Sequence, residues 1–378
     1  MNLLHINSYY IDNHLYSQIY SYLDEEYTQK VYIPIKTDRN PENVIPFKNT
    51  ELTFKKLITP NHKFNYFSKI KTLTKDLIAD KLHENCNFIH AHNLFTDGAI
   101  AYKLHKKYGI KYIVAIRSTD IGLQYKYMYN RRSLAKKVLL NAEKIIFISE
   151  TYRDKFFSMM SSSFISSITD KTTIIPNGID DIWLDSKVET PLSITNTKEV
   201  YNLFYVGQIM NRKNIFNLID AVSLLNKKQE QPKYKLTIVG GANALEPDYF
   251  TKFEEQIKQI EWLDYKGKIY DKNKLIELYK KSDVFVMPSV HELFGLVYIE
   301  AISQGVPVLY SIGEGIDGFL KNYKIGVGVN PQSTTSISEG IIKIIEEKEH
   351  YNQYQEVAEQ FRWRKIIEIY KRIYTNNE

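Results

Sequence analysis

The sequence predicts an α/β protein of two doubly wound, Rossmann-like domains facing a cleft. Short apolar runs of strand length alternate with segments of helical periodicity along the chain. The loops after these runs hold Gly, Asn and charged residues, as do ligand loops outside the carboxyl ends of parallel strands. The chain has 378 residues, long for one domain and comfortable for two.

In the first half, residues 3–7 form a strand with Ser8 in the loop at its carboxyl end. A helix is expected over 13–26 and a second strand over 30–34. Pro41, Pro46 and Pro60 break the next stretch into short pieces. Lys63, Lys69, Lys71, Lys75 and Lys81 beside Phe64, Tyr66, Phe67, Ile70, Leu73, Leu77 and Ile78 give a basic helix over 64–82. Such a helix either lies on a membrane or packs its apolar stripe on a core and shows its lysines to water. A strand over 87–90 leads into His92 and Asn93, and a strand over 111–116 ends at Arg117 and Asp120. Both ends fall where a cleft wall should be. A second basic helix is expected over 125–144, a strand over 145–149, and an apolar, Ser-rich loop or packed helix over 156–168. A strand over 172–176 closes the first domain, 1–185. Residues 186–198 are polar and aperiodic and read as a linker.

The second domain, 199–355, opens with a strand over 201–206, a loop holding Gly207, Gln208, Arg212, Lys213 and Asn214, and a helix through 225. A strand over 235–239 ends at Gly240, and one over 263–266 precedes Ile269. A helix over 271–281 follows, and another over 336–347. The last stretch, 356–378, has helical spacing through Phe361, Trp363, Ile366, Ile367, Tyr370 and Tyr374.

Residues 282–310 organise the chain. An apolar run ends at Pro288, a tight segment runs to Gly295, a helix spans 296–303, and a second apolar run begins at Val306. A helix starting at Leu296 points unpaired amides and the positive end of its dipole backward, a ready phosphate site. Gly295 allows close backbone approach. Glu292 precedes the helix and can face what sits ahead of it; Glu300 lies within the helix and can face what runs along its side.

Glu292 and Glu300, eight apart with Phe294-Gly295-Leu296 between, resemble the signature of the retaining GT-B glycosyltransferases of family 4. Ile-Pro-Asn-Gly-Ile-Asp at 175–180 resembles the marker at the end of that family's first domain, and 207–214 resemble its Gly-Arg-Leu-x-x-x-Lys-Gly. The resemblance implies that Glu292 holds donor-sugar hydroxyls and that Phe294, Gly295 and Leu296 hold sugar and diphosphate. It further implies that Glu300 binds the ribose and that Lys213 stabilises the leaving diphosphate. Gly207, Gln208, Gly240 and Ile269 would complete the nucleotide-sugar site. Gln208 stands where an arginine is usual and Asn214 where a glycine is usual, and Arg212 is placed to compensate. His92 and Arg117 would be cleft residues near the reacting sugar, with Arg117 where relatives have a histidine. Ser8, Asn93 and Asp120 would lie on the acceptor side. The glycine pair of many relatives after the first strand is absent. A C-terminal helix crossing back to the first domain is implied.

Composition sets the class of partner. The hydrophobic fraction of 43% is that of a globular protein. No apolar run long enough to span a bilayer is present, and no signal peptide is expected. The single Cys86 suits a buried residue in a reducing compartment. The net charge is +6, and residues 1–187 hold 26 basic against 19 acidic side chains. That bias fits an anionic membrane surface or substrate; no nucleic acid is implied. Together with this charge bias, the resemblance implies a cytoplasmic, retaining glycosyltransferase (EC 2.4) of hexosyltransferase type, peripheral on the cytoplasmic face of the membrane. A nucleotide-diphosphate sugar, UDP-sugar foremost, is the donor, and a lipid-linked saccharide of a bacterial surface polysaccharide is the acceptor. No cofactor is expected and no metal is implied by the resemblance, because helix N-termini and Lys213 take the role a cation has elsewhere, and no Cys/His set has metal-site spacing. Two alternatives stand beside it: an auxiliary GT-B subunit without activity that binds a partner or a polypeptide acceptor, and a nucleotide-sugar epimerase.

Overall fold

The computed structural model describes residues 1–186, 198–227 and 229–375. They form two compact units. The first holds residues 1–148 and 152–177 and the segment from Trp363 onward; the second holds 149–151 and 178–362.

The first unit is built on a seven-stranded sheet: β1 (Asn2–Ile6), β2 (Thr28–Lys36), β3 (Thr50–Ile58), β4 (Phe88–Ala91), β5 (Lys111–Ala115), β6 (Lys144–Phe147) and β7 (Thr172–Ile174). All neighbours are parallel, in the order β3-β2-β1-β4-β5-β6-β7. The order reverses between β1 and β4, so the loops after these strands border a topological switch point. The second unit has six parallel strands: β8 (Tyr201–Val206), β9 (Tyr234–Val239), β10 (Leu263–Tyr265), β11 (Val284–Val286), β12 (Val308–Ser311) and β13 (Gly326–Val329). Their order, β10-β9-β8-β11-β12-β13, puts its switch point between β8 and β11.

Most expected elements are present, with differences that have physical causes. The strand β3 was not expected. It is an edge strand, half-buried along most of its length, so its pattern is neither a clean alternation nor an apolar run. The basic helix expected over 125–144 is instead a π-helical turn Asp120–Tyr125, a short turn Tyr129–Arg131 and a helix Arg132–Asn141. Residues 156–168 fall in two short helices, Glu150–Phe157 and Ser162–Ile168. The expected linker lies, but for its ends, outside the described residues.

The chain leaves the first unit at Asn177, earlier than the expected boundary at 185. The short helix Asp181–Asp185 is held by the second unit. Gln304 Nε2 donates to the Trp183 carbonyl at 2.7 Å, and the Trp183 ring meets Tyr279 edge-on at 5.7 Å. Arg362 pairs with Asp181 at 2.9 Å and Asp185 at 3.2 Å. The return to the first unit comes at Trp363, later than 356.

The helix Trp363–Thr375 buries Trp363, Ile366, Ile367, Tyr370 and Tyr374, a spacing that lines one face. This face joins the core that holds Leu3, Tyr20, Ile33, Phe88 and Ile146. The C-terminal helix is thus part of the first unit, as the sequence implied. Trp363 is 1% exposed, and Trp363→Ala should destabilise this unit by about 3–5 kcal/mol. Chemical denaturation of the full chain checks this; a loss below about 1 kcal/mol would mean that the helix is docked only loosely.

Candidate active site

The segment after β11 is shaped by its neighbours. Val290 N donates to the Arg212 carbonyl at 2.7 Å, and Gly315 N donates to the Glu292 carbonyl at 2.9 Å. The Tyr298 hydroxyl donates to the Met287 carbonyl at 2.5 Å. Two residues sit in the left-handed region, His291 at φ 62° and Gly295 at φ 78°. A Cβ on Gly295 would lie 2.6 Å from the Tyr298 ring, so only glycine closes this turn. The helix Leu296–Ser303 begins at once. The amides of Phe294, Gly295 and Leu296 donate to no acceptor among the described residues. They are the unpaired donors of a helix N-terminus.

Lys213 and Glu292 meet beside this turn. Both are buried, and the Lys213 ammonium bonds Glu292 Oε2. Arg212 Nη1 stands 3.6 Å from the same oxygen, and its side chain remains exposed. Arg212 thus adds a second positive charge beside Glu292. Gln208 is exposed and accepts from Asn243 Nδ2 at 3.0 Å. The glycine that Asn214 replaces is explained by backbone: Asn214 has φ 60° and ψ 34°, which asparagine tolerates well. Its amide then donates to the carbonyls of Pro288 at 2.9 Å and Pro331 at 2.6 Å. The replacement thus keeps the glycine geometry and adds a tie to the segment after β11.

Gly207 and Gly240 lie side by side after β8 and β9; a Cβ on Gly240 would stand 1.9 Å from the Gly207 carbonyl. Ile269 lies, half-buried, in the loop after β10. Glu300 accepts from the Tyr279 hydroxyl at 3.3 Å, and burial pushes its pKa up to about 7. Asp180 lies near enough to raise it further and Lys272 to lower it, and these two pair with each other. The second unit thus gathers Lys213, Arg212, Glu292 and the 294–296 amides, with Glu300 further along the same helix. The sequence reading did not anticipate Lys272.

The first-unit residues are disposed differently. His92 is fully buried and does not reach the surface. It packs with His5 and His90: His5 Nδ1 and His92 Nε2 are 3.1 Å apart, and the His90 and His92 rings stack at 4.0 Å. Ring nitrogens of the three lie within 4.8 Å of one another, a grouping that sequence spacing concealed because His5 is remote in the chain. Burial holds the pKa of His5 down to about 3 and those of His90 and His92 well below the usual range, so the rings are neutral. Stacked rings do not aim their in-plane lone pairs at one point, and Arg117 close by opposes an added cation. His92 acts through its backbone, whose carbonyl accepts Arg117 Nε at 3.0 Å, while the Arg117 guanidinium lies over Tyr16.

Asn93 and Asp120, read as acceptor-side residues, are buried and already engaged. Asn93 Nδ2 donates to Ser8 Oγ at 2.7 Å and to Asp97 Oδ2 at 2.5 Å. Asp120 Oδ2 accepts the amides of Leu94 and Arg117 at 3.1 and 2.8 Å, and burial pushes its pKa up to about 6. They hold the loops in place, while Ser8 and Arg117 stay half-buried at the edge.

Two parallel, doubly wound sheets, with a basic-acidic pair beside an open helix N-terminus in the second, define a two-domain GT-B architecture. The family model described as "Glycosyl transferases group 1" matches residues 192–361, and "Glycosyltransferase Family 4" matches residues 25–182. The chain belongs to this family of glycosyltransferases. It is 27% identical, over 75% of this chain and 74% of the relative, to an uncharacterized glycosyltransferase of Methanocaldococcus jannaschii. The sucrose-phosphate synthase structure from Thermosynechococcus elongatus superposes with a TM-score of 0.74 at 19% identity, covering 100% of this chain and 98% of that one. Anabaena HepE, solved in complex with UDP and glucose, gives 0.68 at 17% identity and 99% coverage of both chains.

Glu300 yields a pH prediction. Its carboxyl is raised in the fold from an ordinary 4.5 to about 7, so the folded chain holds this proton more tightly than the unfolded one. Its contribution is therefore lost as pH rises between those values. Glu300→Gln should match wild type in thermal stability near pH 4.5 and exceed it at pH 8 by about 2 °C or more. A gap that does not widen with pH would show that the carboxylate is not penalised.

Proposed function

We propose that this glycosyltransferase moves a sugar from a nucleotide-diphosphate donor, UDP-sugar first, to a saccharide acceptor, with retention at the anomeric carbon and without a metal. The observation that carries the reading is the convergence of Lys213, Arg212 and the free 294–296 amides around Glu292. Diphosphate departure develops negative charge, and fixed cations and amides aimed at that charge lower the barrier. Lys213 and Arg212 would take this role, with the helix dipole behind them. Glu292 would accept sugar hydroxyls and Glu300 the ribose hydroxyls. The acceptor oxygen would form its bond to the anomeric carbon on the face from which the diphosphate leaves. Its proton would pass to the departing phosphate oxygen, so no separate base is required.

A lipid-linked saccharide of a bacterial surface polymer is the acceptor we favour, and the basic first unit supports an anionic membrane surface as its setting. No helix among the described residues is long and apolar enough to cross a membrane. Attachment would therefore be electrostatic, and phosphatidylglycerol vesicles should pull the protein down at low salt and release it at high salt. Salt-insensitive sedimentation, or none, removes the membrane part.

A thermal-shift panel of UDP-, GDP-, ADP- and dTDP-sugars without added metal tests the donor, since a ligand of the folded state raises its stability by mass action. Lys213→Ala and Glu292→Gln should each lower turnover of the stabilising donor at least about tenfold, a loss above ~1.4 kcal/mol of transition-state contact. Near-wild-type turnover in both would overturn the site assignment.

A further inference from the structure

The sheet of the first unit ends in an open edge. The strand β3 is the outermost of the seven and pairs with β2 alone. Gln29 N donates to the Asn49 carbonyl at 2.8 Å, which turns the main-chain groups of Asn49 and of every second residue after it toward β2. Those of Thr50, Leu52, Phe54 and Lys56 therefore point outward, and they have no hydrogen-bond partner among the described residues. The register with β2 slips beyond Lys56. The regular edge thus runs from Thr50 to Lys56, with Thr53 at its centre.

Side chains alternate between the two faces of this edge. Leu52 and Phe54 lean on the core of the first unit, where Phe54 meets the Tyr10 ring edge-on at 6.1 Å, and both stay half-buried. Lys55 lies on the other face, tied to Asp80 and 3.9 Å from Asp76. Glu51 shares that face with Lys55; it is exposed and has no ion pair or hydrogen bond among the described residues. Edge strands are commonly protected by proline or by free lysines. β3 has no proline, Lys55 is spent on Asp80, and Lys56 Nζ donates to Asn40 Oδ1 at 2.8 Å. The loop held by that bond shows apolar side chains, Val44 being 67% and Ile45 40% exposed.

We infer that β3 is a self-association edge, which pairs antiparallel with β3 of a second copy of this chain about a two-fold axis at Thr53. An axis perpendicular to the sheet keeps each face on its own side, so residues equally far from Thr53 stand opposite each other. Leu52 then meets Phe54 of the second copy, and Thr50 meets Lys56, both as hydrogen-bonded pairs. Glu51 meets Lys55 in the closer, non-hydrogen-bonded position, where opposite charges attract across strands. Symmetry forms each of these pairs twice. An axis at Phe54 would set Leu52 against Lys56 and Glu51 against Leu57. An axis at Leu52 would set Lys48 against Lys56. Charge and apolar matching therefore select the register centred on Thr53, which also uses the whole regular edge. A second copy is the occupant because the edge complements itself. β2 and β1 lie between this edge and the switch point, so pairing leaves the loops after β1 and β4 to their ligand.

The test uses the full chain. Sedimentation velocity over about 1–100 μM should show wild type passing from monomer to dimer as concentration rises. Glu51→Lys sets like charges opposite each other twice and should weaken the dimer at least about tenfold. Its melting in dilute solution should match wild type, because Glu51 has no partner within its own chain. The register is read by cross-linking in a Cys86→Ser background. Thr53→Cys should give an interchain disulfide under mild oxidation, since residues facing each other on the axis come within disulfide range. Glu51→Cys should not, because the axis sets its two copies far apart. A chain that stays monomeric throughout, a dimer indifferent to Glu51→Lys, or cross-linking through Glu51→Cys in place of Thr53→Cys overturns the proposal.

Discussion

The buried contact between Lys213 and Glu292 joins loops 79 residues apart in sequence, and the second unit's ligand edge depends on it. Both side chains are removed from water, so loss of Glu292 would strand the Lys213 ammonium, an imbalance of about 3–5 kcal/mol, while loss of Lys213 would leave Glu292 only the exposed Arg212. The pair fixes the relative height of the loops after β8 and β11, which the Val290–Arg212 backbone bond and the Asn214 bridge to Pro288 reinforce. An ammonium has three donors. Here it has one strong acceptor, with Met287 Sδ only a weak contact at 3.7 Å. The unspent capacity of Lys213, next to amides that also lack acceptors, makes this edge attractive to an anion with several oxygens.

The parts of the fold readable in sequence were those that local physics specifies. The strands β8 and β11 and the helix Leu296–Ser303 are continuous apolar or periodic segments bounded by Pro288, Gly295 and Gly305. The edge strand β3 escaped because half-burial on both faces leaves no period to detect. The helix at Asp181–Asp185 was assigned to the wrong unit because its allegiance is set by Arg362 and Gln304, remote partners that no local pattern announces. Among the site residues, Gln208 and Asn214 looked like losses in sequence. Coordinates turn Asn214 into a preserved left-handed turn and show Arg212 close to Glu292. His92 reads in sequence as a cleft residue at a strand end. It is buried because the register of β1 on β4 sets His5 beside His90, with His92 next along the same face.

That histidine stack has a mechanical consequence. Neutral imidazoles in contact form a stiff, close-packed platform, closed on one side by Tyr374, whose hydroxyl lies 2.8 Å from His90 Nδ1. The C-terminal helix and the loop after β4 are thereby coupled through one interior. Arg117, bonded to the His92 carbonyl, takes its direction from the same platform. An arginine in the place of a histidine is therefore not a free cation. It is aimed by backbone, with Tyr16 beneath it.

The two units offer anions different kinds of partner. In the second, Gly295 closes the turn whose 294–296 amides have no acceptor among the described residues, so a phosphate can be met by the main chain. In the first, the loop after β1 carries Ser8 instead of glycine, and the Ser8 amide is already spent on Asp97. The Leu94 and Arg117 amides are spent on Asp120. These three amides are therefore not available to an anion at this edge.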